Sequence, residues 1–201
     1  MFISFEGIEG SGKSTLLEAV ATHLRARGRD LLLLREPGGS AVGDAVRDIF
    51  LRPGAAIEPL VEAFLMNASR AQLVGESIRP ALAAGRTVLC DRYLDSSLAY
   101  QGYGRGLDIA LVRSLCDSAT GGLYPDRTLL VDVSVEVSRA RVASRGPSDR
   151  MDAQTIDFYR RAREGFLALA RAEPQRFSVI DGERSPDEVL AAALDALGAS
   201  A

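Results

Sequence analysis

The chain has 201 residues, 47% hydrophobic and 25% charged, which suits a single folded domain with a sizeable core and excludes a disordered segment. A net charge of −3 lacks the excess of Lys and Arg that general nucleic-acid binding draws on, so phosphate recognition has to be local and no nucleic-acid partner is expected. Apolar runs too short for a bilayer, a start (Met1-Phe2-Ile3-Ser4-Phe5-Glu6) without a secretion signal, and two cysteines, Cys90 and Cys116, outside any CxxC spacing predict a reduced, cytoplasmic protein with no membrane partner.

Phe2-Ile3-Ser4-Phe5 reads as a short strand running into Gly7-Ile8-Glu9-Gly10-Ser11-Gly12-Lys13-Ser14. The next segment sets Leu16, Leu17, Val20 and Leu24 on one helical face and stops at Arg27-Gly28. His23, the single histidine, falls in that helix as a surface imidazole, which leaves almost nothing for a zinc site or a Ser-His-Asp triad. Leu31–Leu34 is a buried strand candidate ending at the breaker Glu36-Pro37-Gly38-Gly39. Helical patterns cover about 41–51 and 58–84, and Thr87–Cys90 is a third strand closed by the polar turn Asp91-Arg92-Tyr93. A helix fits about 108–119, a strand Thr128–Asp132, a helix 135–144, and a polar loop follows. A long helix at about 153–172, the strand Phe177–Ile180 and a last helix complete the chain. That helix opens with Ser185 as N-cap, Pro186 in first position and Glu188 closing a capping box.

Continuous apolar strands alternating with helices predict an α/β fold: a five-stranded parallel sheet with helices on both faces, in one domain spanning 1–201. Ligand chemistry in such a sheet belongs at the carboxyl ends of the strands. The clusters Gly7–Ser14, Arg35–Gly39 and Asp91–Tyr93 all fall there.

Gly7-x-x-x-x-Gly12-Lys13-Ser14, between a strand and a helix, matches the phosphate-binding P-loop pattern. Its glycines let backbone amides curl around phosphate oxygens at the positive end of the following helix. Lys13 would reach the β- and γ-phosphates of ATP, and the Ser14 hydroxyl would ligate Mg²⁺. Of the 24 Lys and Arg residues, Lys13 is the single lysine, so a compact ammonium stands where phosphate oxygens crowd a small loop. No second lysine exists for the Asn-Lys-x-Asp motif of a GTP-binding switch.

Four stretches resemble the thymidylate kinase family: Phe5-Glu6-Gly7 through Thr15, Arg35-Glu36-Pro37-Gly38-Gly39, Asp91-Arg92-Tyr93-Leu94-Asp95-Ser96-Ser97-Leu98-Ala99-Tyr100-Gln101-Gly102, and Asp149-Arg150-Met151. The resemblance implies a P-loop nucleoside triphosphatase fold and phosphoryl transfer from ATP to dTMP, with Mg²⁺ as cofactor and a homodimer. It places ATP on Gly7, Ile8, Glu9, Gly10, Ser11, Gly12, Lys13, Ser14, Thr15 and Arg141, and Mg²⁺ on Ser14 and Asp91. Arg92 and Arg47 would grip the acceptor phosphate, Arg70 a thymine carbonyl, and Ser97 and Gln101 the base edge. Tyr100 would crowd the sugar 2′ position, Glu9 would serve the sugar and nearby arginines, and Glu36 and Pro37 would complete the acceptor site. Met66 stands where the family carries a base-stacking aromatic; Phe64, about 200° around the helix, faces away. The segment about 141–152 resembles a lid over ATP. Arg145 and Arg150 are expected to join Lys13 and Arg92 as catalytic cations, because the P-loop interior carries no basic residue of its own. The alternatives are a kinase for another nucleotide monophosphate or a deoxynucleoside, or a non-catalytic nucleotide-binding regulatory protein.

Overall fold

The computed structural model describes residues 1–146 and 149–199. Pro147 and Ser148, within the expected lid, and Ser200 and Ala201, at the end of the expected domain, lie outside the described residues.

Five strands form one parallel sheet: β1 (Phe2–Glu6), β2 (Leu31–Arg35), β3 (Thr87–Asp91), β4 (Arg127–Asp132) and β5 (Phe177–Asp181), in the order β2-β3-β1-β4-β5. The helices between them are α1 (Lys13–Ala26), α2 (Ala41–Leu51), α3 (Pro59–Leu73), α4 (Arg79–Ala83), α5 (Leu94–Ser97), α6 (Ile109–Thr120), α7 (Val135–Arg145), α8 (Ile156–Ala172) and α9 (Pro186–Ala196). Side chains alternate across the sheet. Ile3, Phe5, Leu89, Leu129 and Val131 pack with Leu16, Leu17 and Val20 of α1 and Val189 of α9. Phe2, Val88, Cys90 and Leu130 face the other way, toward Met66 and Leu73 of α3, Val112 of α6 and Phe158 and Phe166 of α8. Ser185 caps α9 through Glu188 in the expected box.

Three local expectations are corrected. β2 is half-buried, because it is an edge strand with helices covering it incompletely. The pattern read as one helix over 58–84 holds a π-helical turn, Val74–Ile78, between α3 and α4, and a second π-helical stretch, Leu98–Gly104, continues α5. His23 is half-buried, its Nε2 3.1 Å from the Ala199 carbonyl, so it ties the end of the described chain to α1. No helix among the described residues is long and apolar enough to cross a membrane.

Candidate active site

The loop between β1 and α1 holds its shape through glycine. Gly7 has φ 146° and a Cβ there would lie 2.5 Å from the Val131 carbonyl; Gly10 has φ 72° and a Cβ there would lie 2.8 Å from the Ser138 carbonyl. Ser138 of α7 also donates its hydroxyl to the Glu9 carbonyl at 2.7 Å. Arg141 donates to the carbonyls of Gly10 and Ser11 at 3.3 Å each, and of Gly182 at 3.0 Å, so α7 grips the loop from behind. Lys13 is buried, and its ammonium titrates below the ordinary lysine value because of that burial and of Arg92; Asp91 and Glu9 oppose the fall. Gly10, Ser11, Gly12, Thr15 and Arg141 line a shallow hollow on the α9 side of the loop.

A cleft on the other side of the loop is lined by Glu9, Lys13, Ser14, Arg35, Glu36, Pro37, Arg47, Met66, Arg70, Asp91, Arg92, Ser97, Tyr100, Gln101 and Arg145, among others. Arg92, the residue after β3, sits in the left-handed backbone region at φ 71°, where a side chain is strained and persists because its surroundings fix it. Its Nη1 donates to the Gly7 carbonyl at 3.0 Å and to Ser96 Oγ at 3.1 Å. Its Nη2 donates to Glu9 at 2.8 Å and lies 3.3 Å from the Tyr100 hydroxyl. Tyr100 in turn donates to the other Glu9 oxygen at 2.6 Å. Burial works against the Arg92 charge, but Tyr100, Glu9 and Asp91 around it raise its pKa overall. Glu9 thus turns toward the cleft and neutralises the cation beside the P-loop. Ser14 donates to Asp91 Oδ2, and Asp91 Oδ1 is buried with no hydrogen-bond partner. Glu36 Oε1 and Ser97 Oγ are likewise buried and unpartnered, so three spare polar atoms converge on this one cleft.

Two arginines sit differently from expectation. Arg70 lines the cleft, but its nitrogens are engaged by protein: Nε and Nη2 by Glu36 at 2.8 Å each, Nη1 by Asn67 at 3.1 Å, and Nη2 also by the Tyr93 carbonyl at 3.1 Å. Burial lifts the Glu36 carboxyl above its usual range against the pull of Arg70, which explains why a buried acid here needs that partner. Arg150 does not line the cleft. Its Nε donates to the Phe50 carbonyl at 2.9 Å and its Nη1 to Glu62 at 2.6 Å, because a buried guanidinium follows a buried carboxylate. Arg145, the last residue of α7, does reach the cleft, held by Asp152 at 2.8 Å. Arg47 lines the cleft and donates to the Pro37 carbonyl at 2.9 Å; burial and then Arg35 lower its pKa. Met66 faces the cleft while Phe64 is exposed, as the helical spacing required.

Over residues 5–193 the sequence matches the family model described as thymidylate kinase. The chain belongs to the thymidylate kinase family. It is 52% identical to a thymidylate kinase from Deinococcus radiodurans over 94% of this chain and 92% of that protein. A thymidylate kinase from Desulfovibrio desulfuricans is 50% identical over 94% and 91%. A crystal structure of thymidylate kinase from Ehrlichia chaffeensis superposes with a TM-score of 0.80 at 33% identity, covering 98% of each chain, and the five-stranded parallel sheet is that of the P-loop fold.

Three residues in or behind the site escape the sequence reading of this thymidylate kinase family member. Arg35 lines the cleft, and its place in Arg35-Glu36-Pro37 at the end of β2 was the available signal. Glu6 is fully buried, accepting the Tyr93 amide at 2.8 Å and the Ser96 hydroxyl at 2.6 Å, so it braces both sides of Arg92. Its signal was an acid inside an apolar strand. Glu62 is fully buried and takes Arg105 as well as Arg150. It lies four residues before Met66 and eight before Arg70, on the same helical stripe.

Proposed function

We propose that the protein transfers the γ-phosphoryl group of ATP to dTMP, giving dTDP and ADP. The observation that carries this reading is the bond from Arg92 to the first P-loop carbonyl: the cation suited to a monophosphate lies against the loop suited to a triphosphate, so one phosphoryl group can pass between them. Lys13 would hold the donor phosphates, Arg92 with Arg47 and Arg35 the acceptor dianion, and Arg145 would neutralise charge on the transferring group. Family resemblance carries Arg141 to the ATP side, and Glu36, Pro37, Met66, Arg70, Ser97, Tyr100 and Gln101 to dTMP.

Mg²⁺ fits the residues present, because Asp91 keeps one buried oxygen unspent beside the Ser14 hydroxyl. Those two side chains would hold the ion, which would supply positive charge against the phosphates when bound. Two unpaired buried cysteines support a cytoplasmic setting.

A homodimer is also part of this reading. Val42 and Ile49 of α2, Leu60, Val61 and Phe64 of α3, and Leu111 of α6 are exposed hydrophobic residues on three helices packed side by side. They are spaced at helical repeats of three, four and seven, which gives an apolar face. Light scattering at micromolar concentration should give twice the monomer mass; a monomer throughout would remove this part. A coupled ADP-release assay across dTMP, dUMP, CMP, GMP, AMP and thymidine tests the activity. Turnover is expected with dTMP foremost; turnover of thymidine without dTMP would refute the acceptor assignment.

A further inference from the structure

Glu62, a carboxylate that does not line the cleft, contacts a neutral side chain that does. Gln101 lines the cleft and is 2% exposed. Its Nε2 donates to Glu62 Oε2 at 3.3 Å. The same Glu62 accepts Arg105 Nε on Oε2 at 3.0 Å, Arg105 Nη2 on Oε1 at 2.9 Å, and Arg150 Nη1 on Oε1 at 2.6 Å. Two guanidinium groups therefore lock the carboxylate in place, and Arg105 is itself held by Gln154 at 2.7 Å and stacked over the Phe158 ring.

A carboxylate can only accept, whereas an amide has one donating and one accepting end. Turning the Gln101 amide over would set its carbonyl oxygen against a negative oxygen at the same separation, losing a charge-assisted bond and adding repulsion. The NH2 end is consequently committed to Glu62, and the carbonyl end is left for whatever occupies the cleft. Among the described residues of the cleft, the Ser96 and Tyr100 hydroxyls are already spent, each donating to a carboxylate (Glu6 and Glu9) and accepting from Arg92. Met66 has no strong hydrogen-bonding atom, Ser97 Oγ has no protein partner to fix its orientation, and the Arg70 nitrogens are engaged by protein. Phosphate falls to Arg35, Arg47 and Arg92, so the uncharged groups remain for the base.

We propose that Glu62 is a specificity-positioning residue: by holding the NH2 of Gln101 it presents a hydrogen-bond acceptor to the base, and so selects a pyrimidine that carries hydrogen on N3 over one whose N3 is a lone pair. This rests on the dTMP reading and deepens it, since thymine has that N3–H and cytosine does not. A cytosine N3 facing the Gln101 oxygen puts two acceptors together.

The test is the dCMP-to-dTMP ratio of dissociation constants by calorimetry, with the corresponding kcat/KM ratio, in wild type, Glu62→Gln and the exchange variant Glu62→Gln/Gln101→Glu. In Glu62→Gln the new amide can donate to the Gln101 oxygen and release its NH2 toward the cleft. A mismatched buried hydrogen bond is worth roughly tenfold or more, so the preference for dTMP should fall by about that factor. The exchange variant keeps the net charge and returns an accepting oxygen to position 101, so the preference should recover. A loosened site weakens both nucleotides together and leaves the ratio alone. A ratio within about twofold of wild type in folded Glu62→Gln overturns the proposal, as does failure of the exchange to restore it. Should the single variant not fold, the exchange variant decides: retained dTMP preference supports the proposal and its loss overturns it. Wild-type protein that neither binds nor turns over dTMP would sink the kinase reading and the proposal with it, whereas a wild type active on dTMP whose preference survives Glu62→Gln sinks only the latter.

Discussion

Replacing Glu6 with glutamine should change how stability depends on pH, and should do so in one direction. Glu6 is fully buried at the end of β1, and its carboxyl is pushed up to about 8 by burial first and by Asp95 second, with Ser96, Arg92 and the Tyr93 amide pulling the other way. In the unfolded chain the same group titrates near the ordinary glutamate value, about 4.3. A folded pKa above the unfolded one means that the folded state holds the proton longer. The contribution to stability is full below the unfolded value, is lost as pH rises through the folded one, and is constant beyond it. One proton changes stability by about 1.4 kcal/mol per pH unit, so between pH 5 and 8 the wild type should lose on the order of 3 kcal/mol that Glu6→Gln keeps. Glutamine preserves shape and can still accept the Tyr93 amide, with its NH2 turned to Ser96. Urea midpoints of the two proteins at half-unit pH intervals give the difference directly, and other titrating groups, including Glu36, cancel in the comparison. The two curves should nearly meet at pH 5 and separate steadily to pH 8. A constant gap across that range would refute the reasoning.

Three further outcomes follow from the site. Arg145→Ala should lower kcat about 10²-fold with little change in melting temperature, because the side chain is half exposed and aimed at the cleft, whereas Arg150→Ala should cost on the order of 2–3 kcal/mol of stability by leaving buried Glu62 and the Phe50 carbonyl short of a donor; thermal melts beside initial rates separate the two. Gly10→Ala should raise the KM for ATP at least tenfold, since a Cβ at φ 72° would meet the Ser138 carbonyl at 2.8 Å and push the loop off α7; an unchanged ATP titration would count against the loop as donor site. Asp91→Asn should raise the Mg²⁺ concentration for half-maximal rate by roughly tenfold or more, and EDTA should abolish wild-type turnover; full activity in EDTA would remove Asp91 and Ser14 from metal binding.

Much of this molecule was legible as sequence because its signals are local. The P-loop is specified by spacing within eight residues, the strands are short, mostly apolar runs bounded by polar residues, and the cap of α9 is written in Ser185 and Glu188. The π-helical turns were not legible: Val74–Ile78 and Leu98–Gly104 carry the same apolar spacing as the α-helices they continue, and one extra residue per turn shows only in the backbone. The roles of Arg70 and Arg150 were not legible either, for a different reason. Which anion an arginine meets depends on carboxylates distant in sequence, Glu36 for Arg70 and Glu62 for Arg150, and no periodicity reports a contact across 34 or 88 residues.

Those pairings explain how so many arginines crowd in and behind one cleft without repelling each other apart. Glu9 answers Arg92, Glu36 answers Arg70, Glu62 answers Arg105 and Arg150, and Asp152 answers Arg145. Each pair fixes a guanidinium in one orientation, and in doing so removes part of its capacity to bind a ligand. Arg35 and Arg47 are the exceptions. No carboxylate ion pair joins either one among the described residues, and Arg35 contributes to lowering the Arg47 pKa, the sign of two like charges brought together before their counterion arrives. A dianionic phosphate bound there, as proposed, would relieve that repulsion, which Asp149 and Asp91 already oppose from a distance. On the proposed assignment this distribution would give the cleft its direction, with phosphate toward Arg35, Arg47 and Arg92 beside the P-loop and base toward Gln101, which Glu62 holds.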